Sequence, residues 1–382
     1  MNRKMPTEKP HILFLFSDTG GGHRSASEAI IEAIKLEYGE TISTEMIDFF
    51  LDYTPPPLNH MPALYPKMVR VPQAWGLGYR LSNGQRRSRL LTAGAWPYVR
   101  KSLRQLAKKR PCNLIVSVHP LANELILRAL GPKRPHFITV VTDMVTTHAL
   151  WYNSQVDRCI VPTETARQRA LDCGLKPEQI SVIGLPVADR FCQPIDDRSE
   201  IRIRFGWPLD RSLVILVGGG EGMGPLEETA HAITKACPDV ALVVIAGRNE
   251  NLKTRLENTD WPIPTFIYGF VREMPEFMQA ADILVTKAGP GTISEAFIAG
   301  LPIILYSRLP GQEDGNVTYV VSEGAGVWAP QPEKIVQAIQ YWQKNPKTYQ
   351  QAISACKRLA RPDAARQIAQ ILVENTKVNT HE

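Results

Sequence analysis

The stretch HILFLFSDTGGGHRSASEAI, residues 11–30, decides the reading of the fold. An apolar run of strand length stops at a polar pair, three glycines and a histidine, and a helix-compatible segment follows. In an open parallel sheet, ligands sit beyond the carboxyl ends of the strands. A glycine-rich turn there lets a ligand approach the backbone where a helix begins. TGGGH is therefore a strand-to-helix turn at a binding edge. It lacks the Lys-Ser/Thr ending of a P-loop and the spacing of a dinucleotide fingerprint. His23 falls at the mouth of the helix, where an imidazole tends to stay neutral and can serve as a base; capping or packing at the turn is the plainer role.

The strand–helix rhythm continues from there. Apolar runs at 114–118, 138–142 and 158–161 join 12–16 in one parallel sheet, and runs at 213–217, 241–246, 266–268, 283–286 and 302–305 imply a second. A chain of 382 residues exceeds one core and suits two such domains. The proline- and charge-rich GLPVADRFCQPIDDRSE, 184–200, reads as the link. The expected division is 1–192 for acceptor and membrane, 193–360 for the donor, and a C-terminal helix over 361–382 that could return to the first domain.

Composition excludes several classes. The hydrophobic content is 44%, no apolar run approaches the length of a membrane span, and the first ten residues are too polar for a signal peptide, so a cytoplasmic protein is expected. The six cysteines are widely spaced, with no C-x-x-C pair, which points to reduced thiols rather than zinc or disulfides. Charge is lopsided. Between Asp52 and Glu124 lie 71 residues without an acid but with 12 Lys or Arg, so a formal net charge of +6 leaves about −6 for the rest. A local field of one sign recruits phosphates or anionic head groups.

The second half carries a denser set of turns. GGGEGMG, 218–224, follows its first strand, and VTKAGPGTISEA, 285–296, passes from strand through Gly-Pro-Gly into a helix. Free backbone N–H groups and the positive end of a helix suit a diphosphate. Glu295, about one turn into that helix, is in range of vicinal ribose hydroxyls. Gly269, Phe270 and Val271 could offer main-chain hydrogen bonds to a base, and Arg248 in AGRN could neutralise phosphate.

In the same order, SDTGGGHRSASEAI, SVHPLAN, VVTDMVTTHALWY, GGGEGMGPLEETA, AGRN, GFV, TKAGPGTISEA, GLPIIL and GQEDGN resemble monogalactosyldiacylglycerol synthases over about residues 10–345. The family stands with bacterial processive diacylglycerol glucosyltransferases and, more remotely, the peptidoglycan N-acetylglucosaminyltransferase. The resemblance implies an α/β, GT-B architecture, two Rossmann-like parallel-sheet domains facing a cleft. It also implies an inverting, metal-independent transfer with no cofactor; no D-x-D triplet occurs in the chain. Carried over by position, Pro290, Gly291 and Thr292 look like the diphosphate cradle, Gly269, Phe270 and Val271 the uracil contacts, and Glu295 the ribose ligand, with Gly219, Gly220 and Arg248 also on the UDP-sugar side. Gln312 and Glu313 hold hexose hydroxyls, with Asn316 beside them. His23 is similar in position to the acceptor-side base, with Asp143 as the alternative. Gly21, Gly22, His119 and His148 go to the acceptor side. Ala149 replaces the proline that plant enzymes carry after the histidine, and 53–97 matches poorly.

That segment suggests a membrane on other grounds. Prolines at 55, 56, 57, 62, 66 and 72 discourage regular structure, while aromatic and leucine side chains, Trp75 and Trp96 among them, interleave with Arg86, Arg87, Arg89 and the other cations. A solvated basic face over a helical hairpin is the plainer alternative, and no nucleic-acid motif accompanies the charge. The expected activity moves a hexose, galactose favoured over glucose, from UDP-sugar to diacylglycerol at an anionic membrane surface. Another lipid-linked acceptor, a UDP-sugar 2-epimerase on the same fold, and a non-catalytic lipid binder are the alternatives. The sequence leaves open whether the chain forms a homodimer.

Overall fold

The computed structural model describes residues 9–19, 21–69, 71–193 and 197–376. Outside them lie the first eight residues weighed as a leader, Gly20 of the glycine turn, Arg70 of the basic stretch, 194–196 of the link and the last six residues; the Lys67 side chain is likewise undescribed. The chain forms two compact units. Residues 1–189, 310–312 and 363–382 make the first, and 190–309 with 313–362 the second.

The first unit is built on a six-stranded sheet in which every pairing is parallel. Its strands are β1 (His11–Phe16), β2 (Ser43–Asp48), β3 (Leu114–Ser117), β4 (His136–Val140), β5 (Arg158–Val161) and β6 (Ile180–Val182), in the order β2-β1-β3-β4-β5-β6. Strands buried on both faces need apolar residues at every position, which is why β1 and β3 read as unbroken apolar runs. Ile12, Phe14 and Leu114 pack on one face with the Gly22–Tyr38 and Ala364–Thr376 helices. Leu13, Leu15 and Ile115 pack on the other with the Gln85–Lys109 and Pro120–Leu130 helices.

The second unit repeats the scheme with β7 (Ser212–Val217), β8 (Val240–Ile245), β9 (Thr265–Tyr268), β10 (Ile283–Lys287), β11 (Ile303–Ser307) and β12 (Gly326–Trp328). The order β12-β11-β10-β7-β8-β9 places a topological switch between β7 and β10, the position where open sheets bind ligands.

Two sequence expectations need correction. Residues 53–97 are mostly helical despite their prolines: Pro62 and Pro72 occupy first turns of the Met61–Met68 and Pro72–Ser82 helices, where no N–H is required, and Pro97 is accommodated inside Gln85–Lys109. Trp96 is not at an exposed interface. It is 9% exposed, in the core with Val99, Leu103 and Leu106, and the guanidinium of Arg128 lies 4.6 Å from its ring centroid. The outward apolar groups are instead Leu77, Leu81, Leu90, Leu91 and Tyr98, with Leu90 73% exposed. Trp75 is half-buried, its ring edge-on to Tyr65.

Candidate active site

In the first unit the glycine turn leaves β1 and enters the Gly22–Tyr38 helix. Gly21 has φ +80°, left-handed backbone that glycine alone adopts without strain, and the space above both Gly21 and Gly22 is open. Asp48, at the end of β2, braces the turn by accepting from the Asp18 N–H at 2.9 Å. His23 is thereby held at the carboxyl edge of the sheet, with Nδ1 2.9 Å from Thr142 Oγ1 in the loop after β4. Burial pushes its pKa down to about 4, against opposing pulls from the Val118 backbone and the Asp18 carboxylate. The imidazole is therefore neutral at neutral pH and able to accept a proton.

Around it stand the other acceptor-side residues. His119 packs edge-on to His23, ring centroids 4.8 Å apart, and is held well below the ordinary histidine range by burial and by His23. Trp151 lies 5.9 Å from His23 and donates its indole N–H to Asp143 Oδ2 at 2.7 Å. The other Asp143 oxygen accepts from Gln312 Nε2 at 3.2 Å. Asp143 is thus a buried, anchored carboxylate. His148 uses both nitrogens: Nδ1 accepts from the Leu150 N–H, which leaves the proton on Nε2 to be donated to Ser82 Oγ at 3.1 Å. Burial and Arg169 lower its pKa to about 4.

The second unit gathers its motifs on one rim, because the carboxyl ends of parallel strands share a side. GGGEGMG follows β7, AGRN follows β8, GFV follows β9, KAGPGT follows β10, and the segment leading to Glu313 follows β11. The first two loops interlock. Gly222 has φ +57°, and a Cβ there would lie 2.0 Å from the Ala246 carbonyl oxygen, while the Arg248 N–H donates to Gly220 O at 2.9 Å. Tyr306 Oη pins the same loop by donating within reach of Val217 O and Met223 O. Arg248 pairs with Glu221 at 2.8 Å and lies 4.7 Å over the ring of Phe270, which is 56% exposed.

Pro290, Gly291 and Thr292 form the first turn of the Pro290–Ala299 helix, which no side chain caps, so its leading N–H groups remain available. Lys287, at the end of β10, reaches beneath both glycine turns: a Cβ at Gly219 would meet its Cε at 3.0 Å, and one at Gly289 its Nζ at 3.1 Å. Glu313 is buried and fixes this lysine through Oε1 at 3.3 Å, while its Oε2 accepts from the Leu309 N–H at 2.7 Å. Asn316 donates to Ala288 O at 2.9 Å and keeps a buried Oδ1 without a hydrogen-bond partner among the described residues. Glu295 is half-buried, and burial raises its pKa to about 7 against the pull of Arg190.

Sequence reasoning missed Lys287, Thr142, Trp151 and Tyr306. Lys287 stands inside the quoted KAGPGT, and its place at a strand end before a glycine turn was the available signal. Among the described residues no group of three His, Cys, Asp or Glu side chains could hold a metal ion, and no helix is long and apolar enough to cross a membrane.

Two parallel sheets with glycine-rich turns along their carboxyl edges, one holding a neutral histidine and the other a lysine-backed anion cradle, define a glycosyltransferase of the GT-B fold. The fold is shared with a solved glycotransferase of kitacinnamycin (TM-score 0.62, 14% identity, 96% of this chain and 99% of that one). It is shared also with the UDP-GlcNAc 2-epimerase of Neisseria meningitidis bound to UDP-GlcNAc (0.60, 13%, 95% and 100%). Residues 23–187 match the family described as monogalactosyldiacylglycerol (MGDG) synthase, and 213–368 the glycosyltransferase family 28 C-terminal domain. A Glycine max protein named "Probable monogalactosyldiacylglycerol synthase, chloroplastic" is 40% identical over 383 residues, 96% of this chain and 72% of that protein. The chain belongs to the monogalactosyldiacylglycerol synthase family.

Proposed function

We propose that the protein transfers galactose from UDP-galactose to the free hydroxyl of diacylglycerol, inverting the anomeric centre, at the surface of an anionic membrane. The observation that carries this reading is the neutral His23 at an open glycine turn, since displacement at the anomeric carbon needs a base on the incoming hydroxyl. His23 takes that proton as the C–O bond forms. Asp143, whose two oxygens are engaged by Trp151 and Gln312, serves to position the indole beside the imidazole, and is the alternative base. His119 and the open space over Gly21 and Gly22 supply the acceptor's bed.

On the donor side, the charge that develops on the departing UDP falls to Lys287, to the leading N–H groups of the Pro290–Ala299 helix with Pro290, Gly291 and Thr292, and to the loop of Gly219 and Gly220. Arg248 would exchange Glu221 for phosphate. Gly269, Phe270 and Val271 follow β9 to meet the uracil, Glu295 accepts from the ribose, and Gln312 Oε1 and Asn316 Oδ1, each a buried acceptor without a partner among the described residues, are each available to a hexose hydroxyl. Glu313 acts by holding Lys287. No divalent cation is required in this scheme, so chelation leaves the rate unchanged.

Membrane contact falls to the exposed leucines and to Arg86, Arg87 and Arg89, all exposed on the Gln85–Lys109 helix. Cations near an anionic surface are worth about 1 kcal/mol each. The test is incubation with diacylglycerol vesicles and labelled UDP-galactose or UDP-glucose, with the lipid product's sugar and anomer identified. A β-galactolipid is expected; conversion of UDP-sugar without lipid would return the chain to the epimerase reading.

A further inference from the structure

The first unit contains a second, polar cavity of about 190 Å³ that the transfer reaction does not use. It opens at the start of the Gln85–Lys109 helix, where Gln85 and Arg89 meet Glu124 of the Pro120–Leu130 helix and Asn153, Ser154 and Gln155 of the loop before β5. Arg89 and Glu124 carry opposite charges into one small cavity, yet neither forms an ion pair with any other side chain among the described residues. Glu124 is steadied through Oε2, which accepts from the Asn153 amide, and this leaves its second oxygen to the cavity. Among the described residues the Arg89 guanidinium has no acceptor, and it stands in the first turns of a 25-residue helix whose N–H groups favour an anion. Glu124 is also the first acid after the 71-residue acid-free stretch, so the carboxylate lining the cavity comes from outside that stretch while Arg89 comes from within it.

We propose that this cavity binds a zwitterionic lipid head group of the phosphoethanolamine class, its phosphate on Arg89 and its primary ammonium on Glu124. Two opposite charges that line one cavity without pairing match a ligand whose own charges are separated by a short linker, and each would form a charge-assisted hydrogen bond. A lipid, rather than a free zwitterion, is indicated by the exposed residues that come next on the same helix. Leu90 and Leu91 follow Arg89 directly and are exposed, so acyl chains can stay in the bilayer while the head group turns into the cavity. The inference rests on the reading of this helix as the membrane side. It adds that the protein distinguishes between head groups of equal net charge.

The test is co-sedimentation of the full chain with two vesicle sets holding the same anionic lipid fraction, with the remainder phosphatidylethanolamine or phosphatidylcholine. Choline has no N–H to donate and is bulkier. Wild type should bind the ethanolamine vesicles more tightly, by roughly two- to fivefold, the scale of a partly exposed charge pair. Glu124→Gln, which keeps an acceptor for Asn153, should remove that preference, as should Arg89→Gln. Arg86→Gln, the same charge change outside the cavity, should weaken both sets and keep the preference. Equal binding of wild type to the two sets, or a preference surviving Glu124→Gln, overturns the inference while leaving membrane docking intact. Failure to bind either set overturns the membrane reading itself. Calorimetric titration with free phosphoethanolamine separates the sources: binding there, with no preference among vesicles, makes the cavity a site for a soluble zwitterion and overturns the lipid assignment.

Discussion

Replacing Glu295 by glutamine should make the protein more stable and a poorer binder of UDP, and both effects should depend on pH. Burial raises this carboxyl from 4.5 to about 7. Between those values the folded chain holds a proton that the unfolded chain has released, so stability falls as pH rises through the interval. At about 1.4 kcal/mol per decade, the full cost above pH 7 is about 3 kcal/mol, an upper bound because part of the residue is solvated. Glutamine carries no charge to bury. Glu295→Gln should therefore be nearly neutral at pH 4 and stabilising by about 1 to 3 kcal/mol at pH 8, read from the unfolding transition of the unit that contains it.

Ligand binding runs the other way. If the ionised carboxylate accepts from the ribose hydroxyls, only that form binds well, and the wild-type Kd for UDP should rise about tenfold from pH 8 to pH 6. UDP's own phosphate ionisation is common to both proteins and cancels when the variant's pH profile is divided out; the variant should be about ten- to hundredfold weaker at pH 8. Calorimetric titration at the two pH values, with denaturant melts of both proteins, decides the matter. A variant that is less stable at pH 8, or that keeps the wild-type affinity, would refute the reasoning.

His23→Ala should lower turnover by roughly 100-fold or more with UDP affinity nearly unchanged, since the imidazole belongs to the first unit; survival of turnover together with loss in Asp143→Asn would exchange their roles. Gly222→Ala should disrupt the interlocked loops, because φ +57° and a contact of 2.0 Å with Ala246 O leave no room for a methyl, and UDP binding should fall well before the fold does. Trp96→Ala should cost about 3 to 5 kcal/mol as a core cavity, visible as a lowered Tm. Substituting Leu77, Leu81 and Leu90 by serine should leave the Tm nearly unchanged and reduce the part of vesicle binding that survives 1 M salt.

The central strands were legible because burial on both faces forces continuous apolar runs, as in β1, β7 and β8. β2, β6 and β12 were not. They are sheet edges, two of only three residues, and STEMID mixes Met46 and Ile47 with four polar residues and runs from an exposed Ser43 to a buried Asp48, so it shows no continuous apolar run. Glycine turns were legible for the same reason that they matter, since Gly21 and Gly222 take backbone angles other residues avoid. The pairs that set the site's charges were hidden: Glu221 with Arg248, Lys287 with Glu313 and Trp151 with Asp143 depend on loop paths, not on spacing. In the basic segment, composition named the right residue types but not their faces. Trp96, Val99, Leu103 and Leu106 recur at helical spacing and form a buried stripe, a pattern that separates them from the leucines outside.

Burial favours the neutral form of both His23 and Glu295, so it moves their pKa values in opposite directions and separates their pH windows. It keeps His23 neutral down to about pH 4, so the base is ready across the whole neutral range. It keeps Glu295 protonated up to about pH 7, so the ribose acceptor is not. Acidification from pH 8 to pH 5.5 should then raise the KM for UDP-sugar while kcat at saturating donor stays flat, because the bound nucleotide itself holds Glu295 ionised. A catalytic base titrating near the ordinary histidine value would instead lower kcat with a midpoint near 6.5. Initial rates against donor concentration at four pH values distinguish the two, and a falling kcat with an unchanged KM would remove His23 as the neutral base and Glu295 as the ribose ligand together.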